Sequence, residues 1–297
     1  MPNLSYFVVD VFTETPLSGN PLAVVLDTCG LATGRMQAIA REFNLSETTF
    51  IERRPAAVER AEGVRVRIFT AREELPFAGH PTLGTASVLR TIAPEACADD
   101  AITLALNVGP VPVRFEPGAT GTAAIFAEMT QKDPEFGAEL NPAEVAPLLG
   151  LTPQDLDPAL PPQVVSTGTP FAIVVLQSLE ALQRLKVDRE KATQWLRERG
   201  ARWFYTLVQD ENGTKCARMQ FEGGEDPATG SAAGCAIGYL VARGAVPSGA
   251  RVHVHQGVEI GRPSDLFLSA IKVSSRVADV RVAGSTIHVA NGQLFLP

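Results

Sequence analysis

The sequence predicts an α+β protein built from two similar halves. Three observations carry that prediction. Strand-like stretches outnumber helix-like ones along the whole chain. At 297 residues the chain exceeds one small core and suits two domains of ordinary size. A segment beginning at Arg67 also recurs about half a chain later, at Arg218.

The elements follow in order. "YFVVDVF" is apolar and β-branched, "TPLSGNP" is a Gly/Pro turn, and "LAVVLD" is the next strand. "GRMQAIAREF" places Met36, Ile39, Ala40 and Phe43 at helical spacing. "ETTFIE" and "VRVRIFT" read as strands, and "GHPTLGTASVLRTI" as a helix entered through a proline turn. "AITLALN" and "GPVPVRFE" are further strands, and the Gly/Pro-rich residues 115–121 then loosen the pattern. "TAAIFAEMT", "NPAEVAPLLG" and "TPQDL" lead into a second set. That set holds "FAIVVL", the helix "REKATQWLRERG", the strands "ARWFYTLVQD" and "CARMQF", and a small-residue helix after Gly230. Four strands close the chain: "ARVHVHQG", "LFLSAIKV", "VADVRVAG" and "STIHVANGQLFL". The expected domains are 1–122 and 123–297, with the strand near 286–297 a candidate to return to the first.

The repeat is ungapped. Laying "RIFTAREELPFAGH" over "RMQFEGGEDPATGS" matches Arg67 with Arg218, Glu74 with Glu225, Pro76 with Pro227 and Gly79 with Gly230. Each copy runs strand, acid–proline loop, glycine, small-residue helix. Small residues fill a core poorly, so they serve close backbone approach. The two loops are expected to face each other across a cleft, a favoured place for a small-molecule site. Each helix N-terminus would offer amides and a positive dipole end to an anion.

Composition excludes several functions. Net charge is −7 with no long basic block, which argues against nucleic acid and anionic membranes as partners. No apolar run approaches the roughly 20 residues of a membrane span. "MPNLSYFVVDVF" lacks a basic n-region and a long apolar h-region, so no signal peptide is expected and the cytoplasm is the expected location. No P-loop, G-x-S-x-G elbow or G-x-G-x-x-G after a strand is present. The four cysteines form no C-x-x-C pair and read as free, mostly buried thiols. His253 and His255 project from one strand face, but no third ligand is evident nearby in sequence, so no metal is expected.

The segments "VDVFTETPLSGNPLAVV", "REFNLSETTF", "RIFTAREELPFAGHPTLGTA", "GGEDPATGSAAG" and "QGVEIGRPS" resemble the PhzF-like family of phenazine-biosynthesis isomerases, on the diaminopimelate epimerase fold. The resemblance spans residues 8–264. It implies two pseudo-symmetric domains, each a barrel-like, mostly antiparallel sheet around a central helix. It also implies a homodimer, no cofactor, and a small carboxylic acid as substrate. Glu47 resembles the family's proton-shuttling acid/base. His80, Asp226 and Ser231 resemble its supporting catalytic residues, and Gly79 and Gly230 its donors to the substrate carboxylate. Each also has a plainer reading: a strand-edge glutamate, a capping histidine, an Asp-Pro turn, a small helix residue. The cysteines fall away from the two turns, which speaks against two-thiol racemisation. "RMQFEGGEDP" is shorter than the aromatic-containing loop of phenazine-pathway relatives, which leaves substrate identity open. An isomerase or epimerase of another amino-acid-like acid, or a catalytically idle binding protein, are the alternatives.

Overall fold

The computed structural model describes residues 3–116, 123–210, 212–221 and 223–296. The Gly/Pro-rich stretch at 117–122, where the first domain was expected to end, lies outside the described residues. The chain divides into two compact units, one of residues 1–130 and 283–297, the other of residues 131–282.

The first unit contains β1 (Leu4–Val11), β2 (Asn20–Val25), α1 (Thr33–Phe43), β3 (Glu47–Glu52), α2 (Ala56–Glu62) and β4 (Val64–Phe69). It continues with β5 (Glu74–Leu75), α3 (Gly79–Ile92), β6 (Ala101–Leu106), β7 (Gly109–Phe115) and β8 (Ile125–Thr130). The second unit holds β9 (Glu135–Glu139), α4 (Pro142–Leu148), β10 (Gln163–Ser166), β11 (Pro170–Val175), α5 (Leu179–Gln183), α6 (Arg189–Glu198) and β12 (Trp203–Gln209). After these come β13 (Lys215–Arg218), the short β14 (Gln220–Phe221) and β15 (Gly224–Glu225), α7 (Gly230–Ala242), β16 (Val252–Gln256) and β17 (Ser264–Val273). β18 (Arg276–Leu294) runs from the second unit's residues into the first's.

The repeat seen in sequence is a repeat of pairing. From β1 to β7 the pairings are antiparallel β1–β2, parallel β2–β3, antiparallel β3–β4, parallel β4–β6 and antiparallel β6–β7. From β10 to β17 they are antiparallel β10–β11, parallel β11–β12, antiparallel β12–β13, parallel β13–β16 and antiparallel β16–β17. In the first unit β8 pairs with β18 and β18 with β1, which closes an eight-stranded barrel. A parallel pair needs a crossover. The long crossover after β4 carries α3, and the one after β13 carries α7.

Both crossover helices are buried along nearly their whole length, from Gly79 to Leu89 and from Gly230 to Val241. α3 meets β1, β2, β3, β6, β7 and β8, so it occupies the barrel axis. The small residues of these helices are the reason they fit. A Cβ on Gly84 would come within 2.6 Å of Leu22 Cδ2 and 2.8 Å of Val11 Cγ2. A Cβ on Gly234 would collide with the Gln131 amide. Gly84→Ala is expected to cost about 1–3 kcal/mol through overpacking, read as a fall in the urea midpoint. An unchanged midpoint would show that the barrel has slack there.

Outer helices cover the strands from the other side. Met36, Ile39 and Ala40 of α1 pack with Phe50 and Phe69. Leu182 of α5 and Leu196 of α6 pack with Val174 and Phe204. Strands covered on both faces need continuous apolar runs rather than alternation, as "FAIVVL" and "FYTLV" show.

Three expectations need correction. "VADVRVAG" and "STIHVANGQLFL" form one continuous strand, β18, which runs through Gly284 and Ser285, where the Ser285 carbonyl accepts from the Thr13 N–H at 3.1 Å. "CARMQF" breaks at Met219 into β13 and β14. Of the four free cysteines only Cys235 is buried; Cys29 is exposed, and Cys97 and Cys216 are intermediate.

Candidate active-site residues

In the first unit the chain delivers Glu47 by stopping α1 sharply. Asn44 adopts the left-handed conformation, φ 50°, and its N–H donates to the Ala40 carbonyl at 3.1 Å. The chain then enters β3, with Glu47 as the first residue and Leu22 of β2 as its parallel neighbour. His80 comes from the first turn of α3. Thr49 and Thr85 share a 2.8 Å hydroxyl hydrogen bond that ties β3 to α3. Glu47 and His80 are thereby brought together: Nε2 of His80 lies 3.2 Å from Oε2 of Glu47. The contact is an ion-pair distance that falls short of hydrogen-bond alignment. A small turn of either side chain would align it.

Burial decides the state of His80. The side chain is 4% exposed, and desolvation pushes its imidazolium down to about 3. The ring is therefore neutral at pH 7, able to donate from one nitrogen and accept at the other. The consequence for stability has a definite sign. Above the ordinary value of 6.5 neither folded nor unfolded chain protonates this residue. As pH falls from 6.5 toward 3 the unfolded chain takes up a proton that the folded one refuses, so stability drops. His80→Gln is expected to flatten that fall by about 1–3 kcal/mol between pH 7 and 4, measured by urea unfolding. Equal slopes in both proteins would mean that His80 takes up its proton in the fold.

The second unit builds its cluster around Gln256. The Gln256 Nε2 donates to the Asp226 carbonyl at 2.9 Å and to Thr229 Oγ1 at 2.9 Å. Its Oε1 accepts from the Thr229 N–H at 3.1 Å and from the Tyr205 hydroxyl at 3.2 Å. All four capacities of this fully buried amide are used. Thr229 Oγ1 donates in turn to Asp226 Oδ2 at 2.6 Å. Burial holds Tyr205 well above the ordinary phenol range, so it remains a donor. At the entry of α7 the Gln131 amide donates to the Gly230 carbonyl at 2.9 Å and accepts from Thr167 at 2.6 Å. Gly230 and Ser231 form the buried first turn of α7.

Neither helix start is capped by a side chain. Ala78 precedes α3 and has none to offer, and the Thr229 hydroxyl is committed to Asp226. First-turn amides without a cap favour an anion.

The expected residues thus fall into two clusters, Gly79, His80 and Glu47 in one unit, Asp226, Gly230 and Ser231 in the other. The sequence reading missed Gln256, Tyr205, Thr229, Gln131 and Thr167. One signal was available for Gln256: it shares the inward face of "VHVHQ" with Val252 and Val254, where a polar residue is unusual.

The repeated acid also finds its role here. Arg67 grips Glu74 through Nε–Oε1 at 2.9 Å and a second contact at 2.6 Å. Arg218 grips Glu225 in the same fork, at 2.8 and 2.7 Å. Each pair fastens the acid–proline loop to the strand before it, and so sets where the next helix begins.

Comparison with known proteins places these features in a family. The family model for phenazine biosynthesis-like proteins matches residues 9–292. An uncharacterized isomerase of Mesorhizobium japonicum is 37% identical and aligned over the full length of both chains. The trans-2,3-dihydro-3-hydroxyanthranilate isomerase of Pseudomonas aeruginosa is 35% identical, over 98% of this chain and 99% of its own. The crystal structure of a PhzF-family phenazine biosynthesis protein from Bacillus anthracis superposes with a TM-score of 0.86 at 27% identity, covering both chains completely. The chain belongs to the phenazine biosynthesis-like, or PhzF, family and is an isomerase.

Proposed function

We propose that the protein moves a proton within a small carboxylic acid, with Glu47 as the acid/base. The observation that carries this is the half-buried carboxylate of Glu47, 14% exposed, held 3.2 Å from a neutral His80 at the uncapped start of α3. Glu47 removes a proton from a carbon next to an unsaturated system. The electron pair shifts along the conjugated bonds, and the new Glu47 carboxyl returns the proton at a distant carbon. The enol left behind relaxes to a ketone. Nothing is added or lost, so the reaction is an isomerisation.

His80, as a neutral hydrogen-bonding ring, orients Glu47 and the substrate. In the second unit the counterpart residues are Asp226, fixed by Thr229 and Gln256, and Ser231. The amide at Gly79, at the uncapped start of α3, takes the substrate's carboxylate, and Gly230 is its counterpart at the start of α7. trans-2,3-Dihydro-3-hydroxyanthranilate is the first substrate to try, because a relative 35% identical is named for it.

The short β14–β15 hairpin, Phe221 opposite Gly224, supports a second reading, another amino-acid-like acid. Proton NMR in D₂O separates the two. Conversion of the anthranilate compound, absent with Glu47→Gln, supports the first. No conversion by the folded protein rejects that substrate, and deuterium uptake across a panel of small acids then identifies the other.

A further inference from the structure

β16 and β17 bring a third ligand to the His253–His255 pair. In their antiparallel register His255 stands opposite Asp265, and His253 opposite Phe267. Opposed residues share a sheet face, so the two imidazoles and the carboxylate project together. His253 Nε2 lies 2.8 Å from Asp265 Oδ1, and His255 Nε2 lies 3.3 Å from the same oxygen. All three ligand atoms fall within 4.8 Å of one another. Zinc bonds to nitrogen and oxygen of about 2.0–2.2 Å set tetrahedral ligand atoms about 3.3–3.5 Å apart. Small rotations reach that spacing.

The side chains are 33%, 39% and 48% exposed. A hydrated cation can therefore enter, and water can complete its coordination. The His253 ring stacks on Phe267, centroids 4.9 Å apart and planes 11° apart, which limits its rotation before any metal arrives. The Arg251 guanidinium lies over the same Phe267 ring and is a like charge that lowers affinity. Two imidazoles with one carboxylate suit zinc, cobalt, nickel or copper, and not magnesium or calcium, which prefer all-oxygen sets.

We infer that His253, His255 and Asp265 form a binding site for one borderline divalent cation of the zinc class. The metal would clamp β16 onto β17. β16 ends in Gln256, the residue that holds the Asp226 loop, so occupancy stiffens the strand behind that loop.

The test is titration of the metal-free full-length protein with Co²⁺, followed by visible d–d absorption, and with Zn²⁺ by calorimetry. One equivalent is expected to bind, to give the intense bands of a tetrahedral site and to raise Tm. His255→Ala and Asp265→Asn should each abolish saturation while circular dichroism stays unchanged. Cys29→Ser should bind like the wild type, because the exposed thiol is the competing ligand. No heat and no bands in the wild type would overturn the inference. So would binding that survives His255→Ala, or that disappears in Cys29→Ser. Should a single alanine variant misfold, His253→Gln provides the same reading with similar bulk.

Discussion

Glu47→Gln is expected to lower kcat by roughly 10²–10⁴-fold while the protein unfolds at an unchanged or higher urea concentration. Glutamine matches glutamate in shape and can still meet His80, but its amide cannot accept a proton from carbon. Replacing a half-buried carboxylate by a neutral amide also removes part of a desolvation cost, so no loss of stability should accompany the loss of rate. KM should change little, because the carboxylate of the substrate is assigned to the helix amides and not to Glu47. A variant that retained wild-type turnover would remove Glu47 from the chemistry. One that lost rate only by unfolding would make Glu47 structural.

Arg218→Ala carries the second large effect, on stability. The Arg218 and Glu225 side chains are 8% and 7% exposed, and the guanidinium also donates to the Leu182 and Gln183 carbonyls. Removing it leaves a buried carboxylate supported, among the described residues, by the Gln220 amide, together with two stranded carbonyls. The expected cost is about 3–5 kcal/mol. Arg67→Ala is the natural control. The same fork in the first unit is 15% and 23% exposed, and Asn107 also supports Glu74. Water can solvate what is left there, so the cost should be about 1–2 kcal/mol. Comparing urea midpoints of the two variants tests the assignment. Equal losses would mean that burial does not distinguish the two copies.

The repeat was the most legible feature of the chain, and its meaning was only half legible. The matched arginine, glutamate, proline and glycine suggested equivalent loops. That both pairs are bidentate, and that both halves share one order of parallel and antiparallel pairing, required coordinates. Helix starts at Gly79 and Gly230 were visible because glycine and proline punctuate the chain locally. The seam within β18 shows the limit of that signal: Gly284 looks like a turn, yet it lies inside the continuous strand.

The polar cluster around Gln256 was not legible. Its members come from positions 205, 226, 229 and 256, and no local pattern links residues so far apart. Likewise, the sequence supplied His253 and His255 two residues apart on one strand, while Asp265 joined them only through the β16–β17 register.

Local chemistry determined the class and the repeat, because periodicity, turn residues and composition act over a few neighbours, while the catalytic candidates came from the resemblance of whole segments to a family. Tertiary structure decided which side chains meet, that His80 is neutral, and how Asp226 is held. Burial and long-range pairing are properties of the folded chain, and they set both charge state and distance.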